Sequence, residues 1–71
     1  MKIAIIVEQG KDGTWGAYAP DLPVTVVATS EAEANSLMHE ALELYFADLR
    51  EKGLPIPVIA SAVREIEVTA V

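Results

Sequence analysis

One histidine, eleven carboxylates and no cysteine bound the chemistry open to this chain of 71 residues. His39 lies four residues before Glu43, a spacing that puts both side chains on one side of a helix, where the carboxylate can orient the imidazole for proton transfer. No serine or cysteine is placed for that imidazole to activate, and a solvated histidine beside a favourable neighbour accounts for the pair more simply. Glu33, Glu40, Glu43 and Glu51 share the same side and invite a divalent ion, but no loop carries the closely spaced carboxylates of a cation site. The missing cysteines and the single histidine remove disulfides, cysteine nucleophiles and the common zinc ligand sets. Gly10, Gly13 and Gly16 recur every third residue and match neither dinucleotide nor phosphate-loop fingerprints. Trp15 and Tyr18 have the types of a base-stacking platform but lack the basic groove such platforms need, with only five Lys and Arg in the chain. The residues predict no catalytic centre, no metal and no cofactor.

The elements that position these residues are well marked. Ser30 and Glu33 form the S-x-x-E pattern that opens a helix. Acids Glu31 and Glu33 sit in its first turn, bases Arg50 and Lys52 in its last, and Gly53 is suited to the left-handed closing residue. The spacing predicts one helix between Ser30 and Gly53. At about 100° per residue, Leu37, Met38, Ala41, Leu42, Leu44, Tyr45, Phe46, Leu49 and Ala34 cover roughly 200° of its circumference, more than one sheet face needs. The surplus predicts a second contact, with another subunit or a partner, or a tight wrap within the domain.

Before the helix, Ile3, Ile5 and Val7 alternate with Ala4, Ile6 and Glu8 as a strand. Gln9 to Gly13 holds two glycines and an Asp-Gly pair, the composition of a hairpin loop. Thr14 to Ala19 reads as the returning strand, with Gly16 a bulge or a place of close approach, and Pro20 ends it. Asp21-Leu22-Pro23 leads to a third strand, Val24 to Ala28. After the helix, Leu54 to Pro57 is extended by its prolines. Val63 to Val71 alternates as a fourth strand, with Ile66, Val68 and Ala70 on one side and Glu65, Glu67 and Thr69 on the other. The expected fold is α+β, in the order βββαβ, a three-stranded antiparallel meander with one long helix on one face and the last strand parallel to the first, reached by a right-handed crossover. One helix leaves the other sheet face, carrying Ala4 or Ile6, for a second copy or another protein to cover.

Size and charge narrow the function. A single domain of this length buries only about 60% of its unfolded surface, so folding as an oligomer is expected. With 52% hydrophobic and 23% charged residues the chain is not compositionally disordered. A net charge of −6 opposes direct nucleic-acid binding and favours a basic protein partner. No apolar run approaches the roughly 20 residues of a membrane span, and the start MKIAIIVEQG lacks the features of a secretory signal, so a cytoplasmic chain is expected.

Four pieces, in order and spacing, give a resemblance. Asp12-Gly13-Thr14-Trp15, Ala17-Tyr18-Ala19-Pro20-Asp21-Leu22-Pro23, Thr29-Ser30-Glu31-Ala32-Glu33-Ala34 and Gly53-Leu54-Pro55-Ile56-Pro57 together resemble the HicB antitoxin family, over most of the chain up to Pro57. The resemblance implies a partial ribonuclease-H-like fold without nuclease activity. It also implies a binding role, covering HicA, a small basic toxin that cleaves mRNA. Where the family continues Asp-Leu-Pro with Gly-Cys, this sequence has Val24-Thr25. The C-terminal DNA-binding domain common in full-length HicB proteins is not expected in residues 1–71, which read as one HicB-like domain. The reading is therefore a homo-oligomeric antitoxin, a dimer or tetramer, with Trp15, Tyr18 and Asp21 as candidate partner contacts. The alternative is a diverged homo-oligomer that binds a small ligand or acts as an enzyme through His39 and its neighbouring acids.

Overall fold

A computed structural model describes residues 1–70; Val71, the last residue of the expected fourth strand, lies outside them. The fold is α+β: strands β1 (Ile6–Gln9), β2 (Trp15–Tyr18) and β3 (Thr25–Ala28) precede one long helix, α1 (Glu31–Lys52). The strands form an antiparallel meander in the order β1-β2-β3. Ile6 faces Tyr18 and Gln9 faces Trp15 in the first pair, while Trp15 faces Ala28 and Tyr18 faces Thr25 in the second.

The paired part of β1 starts three residues later than the sequence pattern suggests. Continuing the register past Ile6 and Tyr18 would bring Ile5 and Ala4 opposite Ala19 and Pro20. Ala19 is turned to the β3 side, its N–H donating to Val24 O at 3.1 Å, and Pro20, the next residue turned toward β1, has no N–H to give. Ile3 and Ile5 still pack against the core without a ladder. The β1–β2 loop closes with Gly10 N–H donating to Thr14 O at 2.8 Å, and Asp12 accepts from the Thr14 hydroxyl (2.7 Å) and N–H (3.0 Å). Those two donors, hydroxyl first, hold the Asp12 carboxyl below the ordinary carboxylate range. Of the two loop glycines only Gly13 has a positive φ, at 87°. Gly16 is neither a bulge nor a close approach. It sits in regular register between Glu8 and Val27, with only ordinary contact distance to Val26 O where a Cβ would stand.

Helix α1 has the caps its sequence announces, with one variation. Ser30 Oγ accepts from Glu33 N–H at 3.1 Å, and Glu33 reaches back to the N–H of Thr29 at 2.9 Å, one residue before the usual recipient. At the other end Gly53, with φ 66°, donates to Arg50 O, and Leu54 N–H donates to Leu49 O at 2.9 Å, the paired bonds of a Schellman closure.

The core lies between the helix and one sheet face. Val7, Ala17 and Val26 form one row across the three strands on that face; Trp15 and Ala28 belong to the next. Against them pack Ala34 and Met38, the latter fully enclosed at 0% exposure, with Leu22, Val24 and Ala19 closing the β2–β3 end. Leu37, Ala41, Leu42, Tyr45 and Phe46 are half-buried around this centre, the last two in an edge-to-face pair with ring centroids 5.6 Å apart. The broad apolar stripe thus spends most of its width inside the domain, while Leu44 faces solvent.

The expected fourth strand is not formed among the described residues. From Leu54 to Ala70 the chain has no strand or helix. Ile59 touches the core, and Ser61 is held at the β2–β3 turn by Asp21. That anchor roots the segment beside the turn instead of along β1, and the alternating stretch beyond it meets no edge with which to share hydrogen bonds.

Candidate functional site

His39 and Glu43 come together as expected, Nε2 to Oε1 at 3.8 Å, on the solvent side of α1. The histidine side chain is 80% exposed, so solvent screens the pair. Among the described residues no three His, Asp or Glu side chains gather as a metal-ligand set; Glu33 is committed to the helix cap and the other acids line an open helix surface. His39, Glu43 and Arg50 do stand at the rim of something: an open groove of about 490 Å³ between α1 and the N-terminal run, floored by Ile3, Ile5, Leu42 and Phe46, with the enclosed Met38 beneath. α1 packs on all three strands, least on β1, and the groove lies on that side.

The three residues singled out from the sequence do not share one surface. Trp15, at an odd position of β2, points to the helix side and packs against the core. Tyr18 lies on the opposite face and is exposed. Asp21 sits in the turn Ala19-Pro20-Asp21-Leu22, closed by Leu22 N–H donating to Ala19 O at 3.2 Å, with proline at the position where its fixed φ suits the turn. Its carboxylate accepts from Ser61 N–H (3.1 Å) and the Ser61 hydroxyl (2.9 Å). Partial desolvation pushes the Asp21 carboxyl up. The donors from Ser61, backbone and hydroxyl, with the Ala60 backbone, outweigh it and leave the pKa below the ordinary value.

The surface that Tyr18 belongs to is the outer sheet face. Its first row is Ile6, Tyr18 and Thr25; its second is Glu8, Gly16 and Val27. Ile6 and Tyr18 are exposed, and Val27 is 72% exposed because its cross-strand neighbour Gly16 has no side chain to lean on it. Thr25 is exposed, and its hydroxyl donates to Ala17 O on the neighbouring strand at 3.1 Å. Apolar side chains on all three strands therefore stand in water with no element above them. No sequence signal marks Val27, because Val24, Val26 and Val27 put apolar side chains on both faces of the strand; the register decides which valine is outside. Ser61 gave no sequence signal at all, since its partner is forty residues away.

No helix of the described residues is long and apolar enough to cross a membrane. The chain matches no protein-family model, no curated protein and no solved structure.

Proposed function

We propose that this chain is a HicB-like antitoxin, a homo-oligomeric interaction module of the cytoplasm that occludes a small basic HicA-like ribonuclease and breaks no bond itself. The observation that carries the reading is the uncovered outer sheet face, where Ile6, Tyr18 and Val27 stand exposed on three adjacent strands. Such a face supplies desolvation energy to a partner laid across it. The charge supplies the approach: Glu31, Glu33, Glu40, Glu43, Asp48 and Glu51 are all exposed on α1, in a chain of net charge −6, and a basic protein is drawn to that field. The four-piece resemblance to HicB supplies the partner class.

The test is to find whether the neighbouring reading frame encodes a short basic HicA-like ribonuclease and to mix that protein with the chain. A stable complex and loss of RNA cleavage are expected; undiminished cleavage at saturating protein overturns the reading. Within that assay Tyr18→Ala and Val27→Glu weaken the complex at least about tenfold if the outer face is the contact. Trp15→Ala, on the inner face, acts through stability instead.

A second reading rests on one juxtaposition, His39 and Glu43 at the rim of an apolar groove: a small ligand held there, with the imidazole as its proton-transfer group. His39→Ala separates the two, abolishing a ligand-dependent activity while leaving nuclease capture untouched.

A further inference from the structure

The chain exposes 5715 Å², whereas a compact protein of its mass exposes about 4,300 Å². Its radius of gyration is 14.5 Å where about 11 Å is normal for this length. Of residues 54–70, all but Pro57 and Ile59 are exposed. Beyond the Ser61 anchor, Ile66 and Val68 are 83% and 77% exposed, and among the described residues no backbone hydrogen bond joins 62–70 to the rest of the domain. Yet this stretch is built as a strand, with Ile66, Val68 and Ala70 on one side and Glu65, Glu67 and Thr69 on the other.

The edge that suits it is β1. In the order β1-β2-β3 its outer side is unpaired, and an unpaired edge is a template for another strand. The two sheet edges differ on the helix side: α1 covers β3, whereas beside β1 it leaves the groove floored by Ile3, Ile5, Leu42 and Phe46. A strand laid along β1 sends every second side chain into that groove.

The root of the arm decides whose edge it takes. The Asp21–Ser61 hydrogen bonds fix the root at the β2–β3 turn. The molecule is 52 Å long, well beyond the roughly 33 Å of a 22-residue helix, so the arm leaves the domain instead of turning back along its own β1. The surplus of roughly 1,400 Å² exceeds the ~800 Å² that each partner contributes to a standard stable interface.

We propose that residues 63–70 add as a fourth strand to the β1 edge of a second copy, reciprocally, with Ile66 and Val68 seated in that copy's groove. The exchange closes a two-fold dimer in which the same two patches meet twice and both β1 edges are consumed. It deepens the oligomeric part of the function proposed above. Its test contains no nuclease, so failure of nuclease capture and failure of the exchange are separate results.

Chain labelled with ¹³C and ¹⁵N is refolded together with unlabelled chain, and filtered nuclear Overhauser spectra are recorded on the mixture. Contacts between the methyl groups of Ile66 or Val68 in one copy and Ile3, Leu42 or Phe46 in the other are expected. The same contacts found only within one chain, contacts between the two arms alone, or an arm with no contacts, each overturn the proposal. In the full-length double variant Ile66→Glu with Val68→Glu, the dimer dissociation constant measured by sedimentation rises at least about tenfold while the helical circular dichroism is retained. An unchanged dissociation constant is equally fatal. Should that variant not fold, the labelled wild-type mixture still decides.

Discussion

Residues 1–53 and residues 54–70 are written in the same alternating and apolar vocabulary, and they end in opposite conditions. The first stretch satisfies itself except along the outer side of β1 and on the outer sheet face. Two short turns return each strand to its neighbour, α1 is capped by Ser30 and Gly53, and Met38 is sealed at 0% exposure. The second has the side-chain pattern of a strand but touches the domain chiefly through Ile59 and Ser61. A helix completes its hydrogen bonds within its own segment, whereas a strand is finished only by another strand. The difference lies in where the partner comes from, and the account places the arm's partner outside the chain.

The largest expected effect breaks the self-satisfied half. Met38→Ala removes the side chain at the centre of the core and lowers stability by about 2–5 kcal/mol, measured by urea denaturation, by a similar amount at low and high protein concentration. Losses from the arm variants instead depend on concentration, because they act through association. Next comes the cap: Ser30→Ala, which strips the acceptor from Glu33 N–H, costs about 1 kcal/mol in the same assay. Gly16→Ala runs the other way. Its φ is not positive and a Cβ meets only ordinary contact, so reduced freedom of the unfolded chain gives a gain of about 0.5 kcal/mol.

The smallest effect sharpens the boundary between the two halves. The Asp21 carboxyl has a lowered pKa in the folded chain, so the stabilisation it provides is present above its unfolded pKa and is lost as pH falls through the lower folded value. The arm's root therefore loosens only in acid. Ser61→Ala removes the hydroxyl donor and keeps the backbone N–H, so the Asp21 titration, followed by carboxyl ¹³C shifts, moves part of the way up toward the ordinary carboxylate value and leaves Met38 and the core unaffected. A titration that stays put means the Ser61 hydroxyl does not hold the carboxylate, leaving the backbone N–H groups to do so.

What was legible in the sequence follows the same division. α1 could be read to its caps because every signal for its ends lies within a few residues of them. β2 and β3 were read to within a residue at each end. β1 starts later than its own alternation suggests because Pro20, just past the end of β2, has no N–H to continue the ladder. The alternation of residues 63–71 predicts a strand, and residues 63–70 form none, since alternation specifies a face and carries no address. At the candidate site, the period of two already put Trp15 and Tyr18 on opposite faces of β2. The Asp21–Ser61 link and the exposure of Val27 depend on tertiary register, which no local signal encodes.

The most direct test of the claim that this fold is completed by another molecule is sedimentation equilibrium on the unmodified chain across a dilution series. The account predicts a reversible dimer, or a tetramer built from it, that dissociates on dilution while α1 persists. A monomer at every concentration, with residues 63–70 protected from amide exchange within it, contradicts the account.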